Sequence, residues 1–256
     1  MTEPHLLYDV ENNVARLTIN REAQRNAISL EAIDLFSKCL DEAETDEKVR
    51  VILITGSGDK AFCAGADLGG AVDGKIQQGF KSYAKLITRL SSYPKPVVAR
   101  INGACMAGGM GLMLACDIVI ARNDVTFGTP EVNVGLWPMM IGALIYRNVL
   151  RKKAMEMILL GERLTADQAL EMGLITRAVP PDELDGEIDQ ILKSLAAKSP
   201  IGMKIGKEAF YAMADMPFEE AVDFLSGKIA EVAATEDAIE GITAFIEKRK
   251  PKFTGK

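Results

Sequence analysis

INGACMAGGMGLMLACDIVIA, residues 101–121, is the stretch on which the fold turns. Ile101 to Cys116 runs for 16 residues without a charge, as a membrane span would. A bilayer needs roughly 20 such residues in a helix. Arg100 and Asp117 bracket the run, and Asn102 and turn-prone glycines interrupt it. The alternative is a buried strand, Val97–Ile101, running into an Asn102-Gly103 loop, then a glycine-rich helix over Ala107–Cys116, then a strand at Ile118–Ala121. That order is a strand–helix–strand unit of an α/β protein.

The unit recurs to either side. Leu6–Tyr8 and Val14–Ile19 read as two strands about a Glu11-Asn12-Asn13 turn. Ser29 caps a helix with Leu30, Ile33 and Leu40 on its apolar positions. VRVILIT, Val49–Thr55, is a buried strand, followed by a turn at Gly56-Ser57-Gly58. Residues 75–92 are helical and end at Pro94–Pro96. Val125–Phe127 is a short strand leading into Gly128-Thr129-Pro130-Glu131. From Asp182 the pattern is helical, over 182–197, 201–213, 217–235 and 236–249. About 60 helical residues cannot bury themselves alone, so they pack on the core or on another subunit.

Composition narrows the chemistry. The chain has 256 residues, 48% hydrophobic and 26% charged, with a net charge of −6. An acidic balance argues against nucleic acid as a partner. The first residues, MTEPHLLYDVENN, lack the basic and apolar regions of a secretory signal, and cytoplasmic residence is the expectation. Cys39, Cys63, Cys105 and Cys116 form no CxxC pair and read as reduced thiols. The only histidine, His5, lies near a terminus expected to be mobile. That removes Ser-His-Asp and Cys-His catalysis and histidine zinc sites, so no metal is expected. Carboxylates and backbone amides are left to do any chemistry.

Three small-residue sites stand out. AFCAGADL, residues 61–68, leaves its backbone bare at 64–66, where a ligand can reach the amides; the same residues also suit a turn in which Asp67 caps a helix. Ala107-Gly108-Gly109 stands where a loop enters a helix, whose first N–H groups have no internal partner. GxGxxG spacing and a P-loop are both absent. Glu131 follows Pro130 amid Val132, Val134, Leu136 and Trp137, an apolar setting that raises a carboxyl pKa toward the range of an acid/base catalyst.

Taken together, the stretches resemble the crotonase (enoyl-CoA hydratase/isomerase) family. They are Arg25-Asn26-Ala27, AFCAGADL at 61–68, INGACMAGGMGLMLACDIVIA at 101–121, FGTPEVNVGLWP at 127–138, LLGERLTADQALEMGLITRAV at 159–179 and EGITAFIEKRKPKF at 240–253. The resemblance implies an α/β fold: a ββα spiral with two roughly perpendicular sheets over residues 1–195, and a helical oligomerisation region over 196–256 that builds trimers or hexamers. It implies an acyl-CoA substrate, with no cofactor beyond the coenzyme A the substrate carries. By position, the N–H groups of Ala66 and Gly108 form an oxyanion hole and Glu131 is the acid/base. The backbone at Asn26, Ala27, Ala64 and Asp67 matches the part that grips coenzyme A. Trp137 and Met139 match positions that shape the acyl pocket, although by composition core packing is the first expectation for Trp137 and Met140. Phe245 and Lys248 match positions that reach a neighbouring subunit's coenzyme A.

One departure bears on the reaction. Family hydratases carry a second glutamate where this chain has Gly111. A single base suffices to move a double bond, taking a proton from C2 and returning it at C4. Isomerisation is therefore expected ahead of hydration, with decarboxylation and non-catalytic acyl-CoA binding as further alternatives. Asp73 is a candidate replacement for the missing carboxylate.

Overall fold

The computed structural model of the chain describes residues 3–67 and 76–256. Two strands, β1 (Leu6–Glu11) and β2 (Val14–Ile19), open it as an antiparallel hairpin. Asn12 and Asn13 supply its two-residue turn at φ 52 and 66, the left-handed pair that such a hairpin needs and that asparagine tolerates. Helix α1 (Leu30–Thr45) starts at Ser29, whose side chain accepts from the Ala32 N–H. His5 is not loose: its Nδ1 lies 2.7 Å from Ser29 Oγ at this helix start.

The chain then winds. β3 (Val51–Gly56) is followed by β4 (Ala61–Cys63), and helix α2 (Ile76–Ser91) leads to β5 (Val97–Ile101). β6 (Ala104–Met106), helix α3 (Gly108–Leu114), β7 (Ile118–Arg122) and β8 (Thr126–Gly128) repeat the pattern. Helices α4 (Met139–Asn148) and α5 (Arg151–Leu160), strand β9 (Arg163–Thr165), helix α6 (Ala166–Glu171) and strand β10 (Arg177–Val179) finish the spiral. One sheet has the order β1-β2-β3-β5-β7-β10, the other β4-β6-β8-β9. The three middle turns, which start at β3, β5 and β7, thus each contribute one strand to each sheet and then a helix.

β3 shows why the layers form. It is buried on both faces, as parallel strands are, and its side chains alternate between two cores. Ile52 and Ile54 join the main core with Phe36, Phe62 and Phe127. Val51 and Leu53 face Leu184, Ile188 and Leu192 of helix α7 (Leu184–Ala196). Each fully buried aliphatic side chain contributes about 1.5–3 kcal/mol. Three more helices follow, α8 (Pro200–Met213), α9 (Phe218–Ala233) and α10 (Glu236–Ile246), matching the helical pattern read from Asp182 onward.

Four three-residue strands, β4, β6, β9 and β10, were not legible beforehand. Two of them correct specific expectations. Ala61–Cys63 is a strand within what reads as a small-residue turn, and Ala104–Met106 is a strand just before α3. Three residues are too few to display a period of two, and small side chains give no burial signal.

Candidate active site

β4, β6 and β8 are adjacent and parallel, with Cys63 beside Cys105 and Met106 beside Gly128. Their carboxyl ends therefore emerge side by side. From them run the three segments that stood out in the sequence: 64–67, 107–109 and 129–131. Loops at the carboxyl ends of parallel strands are where α/β proteins bind ligands.

The first two segments touch. A Cβ on Gly65 would lie 2.8 Å from Ala107 Cβ and 3.3 Å from Gly108 N, and one on Gly108 would lie 3.4 Å from Ala66 N. Gly65, at φ +108, is the residue that makes this approach possible. Ala107 takes φ 48 and ψ −123, an unfavourable conformation for a residue with a Cβ that costs about 1–3 kcal/mol. Its N–H donates to Gly128 O at 2.9 Å, which ties the turn to β8. Ile28 N donates to Gly65 O at 2.7 Å, and Asp67 N to Ile28 O at 2.9 Å, leaving the Ala66 N–H between two anchored peptides. Among the described residues, neither Ala66 N nor Gly108 N donates to a backbone carbonyl outside regular elements. Two adjacent amides of this kind are what an oxyanion requires.

Glu131 stands in the third segment, in a 3₁₀ turn, Pro130–Val134, begun by Thr129. Burial raises its carboxyl pKa, partly opposed by a hydrogen bond to its own backbone. No second charged group enters that shift among the described residues. Glu131 Oε2 and the Thr129 hydroxyl are buried with no hydrogen-bond partner. Buried polar atoms without partners are costly and are characteristic of sites that act on something else. The raised pKa was expected; of the apolar neighbours that suggested it, Val134, Leu136 and Trp137 are exposed.

Trp137, expected in the core, is instead 42% exposed, and Met139 is 74% exposed at the start of α4; Met140 does pack on the core. Val134, Leu136, Trp137 and Met139 thus form an exposed apolar run, a lip, shortly after Glu131 in the chain.

Asn26 is fully buried, and its side chain is committed inside the protein. Oδ1 accepts from Arg21 N–H and Ser57 Oγ, both at 3.1 Å. Nδ2 donates to Ser57 O at 3.0 Å and Ala61 O at 2.7 Å. This segment has its N–H groups committed as well, Asn26 N–H to Arg21 O at 2.9 Å and Ala27 N–H to Gln24 O at 3.1 Å. It adjoins the first loop, since Ala64 N donates to Arg25 O at 3.0 Å. Asp67 pairs with Arg21 Nη2 at 2.7 Å, and Arg21 Nη1 donates to Ala27 O at 2.6 Å. Asn26, Ala27, Ala64 and Asp67 are thus one connected patch.

Phe245, 85% exposed, and Lys248, at φ 55, are at the end of α10, which rests on α8 and α9. Among the described residues, no hydrogen bond or ion pair joins them to the Glu131 loops within one chain. Asp73 lies outside the described residues.

Two participants escaped the sequence reading. Tyr83, on α2, is buried and donates from its hydroxyl to Gly108 O. Position 111 is bare because a Cβ there would collide with Tyr83 Oη and Ile141 Cγ2. Nothing marks Tyr83 within an amphipathic helix, and only the glycine at 111 hints that something fills the space.

The match with known proteins runs through the whole assembly. The sequence profile of the Enoyl-CoA hydratase/isomerase family fits residues 9–256. The chain belongs to that family. It is 33% identical to a short-chain-enoyl-CoA hydratase of Clostridium acetobutylicum, covering 96% of each chain. It is 37% identical to a probable enoyl-CoA hydratase of Bacillus subtilis, over 96% of this chain and 97% of that one. A crystal structure of an enoyl-CoA hydratase of Mycobacterium smegmatis superimposes with a TM-score of 0.94 at 34% identity, over 98% of this chain and 99% of that one. The ββα spiral is accordingly the crotonase fold, and the chain is an enzyme of the enoyl-CoA hydratase/isomerase type. Among the described residues no helix is long and apolar enough to cross a membrane.

Proposed function

We propose that the chain isomerises the double bond of an enoyl-CoA, with Glu131 as its single acid/base and the N–H groups of Ala66 and Gly108 as its oxyanion hole. The Glu131 carboxylate takes a proton from C2 of a 3-enoyl thioester. The electrons move onto the thioester oxygen, where the two amides stabilise the dienolate by several kcal/mol in a water-poor site. The protonated Glu131 returns the proton at C4, giving the 2-enoyl thioester. The observation that carries this reading is the filled space at Gly111, where Tyr83 and Ile141 leave no room for a second carboxylate.

Coenzyme A would lie along the patch at Asn26, Ala27, Ala64 and Asp67, with the acyl chain under the lip at Trp137 and Met139. No further cofactor is needed for proton transfer. Phe245 and Lys248 would serve a neighbouring subunit in a trimer or hexamer. Leu150, Phe218, Ile229 and Phe245, all strongly exposed, support such an assembly. Light scattering after size exclusion measures its order. Cytoplasmic residence belongs to the same proposal.

The second reading is hydration, favoured by the names of the relatives, which are called enoyl-CoA hydratases. A mass-spectrometric assay in D2O with 3-enoyl-CoA and 2-enoyl-CoA substrates separates the two. Deuterium incorporation with a moved double bond and no added water supports isomerisation. Formation of 3-hydroxyacyl-CoA from the 2-enoyl substrate without isomerisation overturns it.

A further inference from the structure

We propose that Tyr83 is a positioning residue for the oxyanion hole: its hydroxyl occupies the space opened by Gly111 and holds the Gly108 carbonyl, on the peptide that follows the Gly108 N–H, so that Gly108 is fixed with its N–H beside that of Ala66. The proposal rests on the oxyanion-hole reading above and adds a residue to it.

Three observations carry it. The Tyr83 hydroxyl donates to Gly108 O, the first carbonyl of α3, at which an α-helix also directs the Leu112 N–H. Gly111 supplies the room, because any side chain there would strike the hydroxyl and Ile141. Finally, Gly108-Gly109 is a pair of residues with little conformational preference of their own, at the point where an amide must be aimed accurately. The peptide that carries the Gly108 N–H is held on one side through the peptide before it, whose Ala107 N–H donates to Gly128 O at 2.9 Å, and at its own carbonyl by Met110 N–H on Ala107 O at 2.9 Å. Tyr83 holds the next peptide from the other side. Without it, rotation about Gly108 is restrained only by the first turn of α3.

The hydroxyl does not serve as a second acid. Burial keeps its pKa well above the usual tyrosine value, and the nearby Glu131 carboxylate pushes in the same direction. It stays protonated, and its one proton is already given to Gly108 O. Where a glutamate at 111 would offer a group able to work on water, this pairing offers a neutral donor that faces the backbone. Tyr83 and Gly111 therefore form one unit, and the exchange of carboxylate for phenol changes the task of the position from proton transfer to alignment.

The test uses butanoyl-CoA labelled with carbon-13 at the thioester carbonyl, a saturated compound that can be neither hydrated nor isomerised. Its carbonyl stretch is read by isotope-edited infrared spectroscopy when bound to wild type, Tyr83→Phe and Gly111→Ala. Wild type is expected to shift the stretch to lower frequency, and both variants to lose most of that shift while still binding the thioester. In turnover, Tyr83→Phe should lower kcat by about tenfold, less than the roughly hundredfold or greater loss from deleting a donor outright. KM and the pH dependence set by Glu131 should stay as they are. A Tyr83→Phe protein that keeps the full shift overturns the proposal, whatever Gly111→Ala does. A wild-type protein with no shift overturns the hole itself and the Tyr83 role with it, so the two failures are distinguishable.

Discussion

Asn26→Ala removes a fully buried side chain that makes four hydrogen bonds, to Arg21 N, Ser57 Oγ, Ser57 O and Ala61 O. Each net bond is worth about 1 kcal/mol. Arg21 N–H and the two carbonyls have no second side chain to turn to, whereas the Ser57 hydroxyl can rotate. Asn26 also sits at φ 57, where alanine costs about 1–2 kcal/mol more than glycine. The expected loss is about 3–5 kcal/mol, measured by urea unfolding at fixed protein concentration, since an oligomer's stability depends on it. Asn26→Gly should lose about 1 kcal/mol less, isolating the backbone share. Asn26→Asp should show a pH dependence. Its second oxygen would face the Ser57 and Ala61 carbonyls and could only satisfy them when protonated. The folded state would then bind the proton more tightly than the unfolded chain, so stability should fall as pH rises above the usual carboxylate range. An Asn26→Ala protein within 1 kcal/mol of wild type would refute the clamp.

Other outcomes follow from the same geometry. Glu131→Gln should lower turnover by about 10²–10⁴-fold, and wild-type activity should fall at low pH through an apparent pKa above the ordinary glutamate value of 4.5. Burial raises the Glu131 pKa, so its charge costs stability once pH exceeds the unfolded-state value; Glu131→Gln should melt higher at neutral pH, with the gain vanishing near pH 4. Gly65→Ala puts a Cβ 2.8 Å from Ala107 Cβ at φ +108, and should cost about 1–3 kcal/mol in thermal unfolding. It should also reduce kcat by about a hundredfold through displacement of the Gly108 amide; unchanged kcat would argue against contact between the two loops. Cys63, Cys105 and Cys116 are buried with raised pKa values, Cys63 to about 12, so native protein titrated with a thiol reagent at pH 8 should yield at most Cys39, and all four thiols only after unfolding.

Long periodic elements were legible in the sequence. Ser29 as a cap, the Asn12-Asn13 hairpin, β3 and the four closing helices lie where composition and periodicity put them, because caps, turns and burial act over short distances. The second sheet was legible only through family resemblance. β4, β6, β9 and β10 exist because neighbouring strands complete their hydrogen bonds, which is a long-range cause with no local trace. The site divides in the same way. Glycines at 65, 108 and 109 advertise bare backbone, and Glu131 advertises a carboxylate after a strand. Trp137 misleads, because large apolar residues are buried by habit while a lip beside a site is not. Tyr83 is silent, because its contact with Gly108 depends on how α2 crosses α3.

The convergence of three parallel strand ends has an evolutionary side. The two donors of the proposed hole are peptide groups, and no codon specifies a peptide group, so point mutation changes them only by moving the backbone. Side chains at 83, 111 and 131 arrive on a helix, a second helix and a separate turn, each from its own stretch of gene. One nucleotide change can therefore rewrite what is done to the bound thioester while the machinery that binds and polarises it is inherited whole. A scaffold divided in this way keeps its grip on one class of substrate and remains free to change reactions.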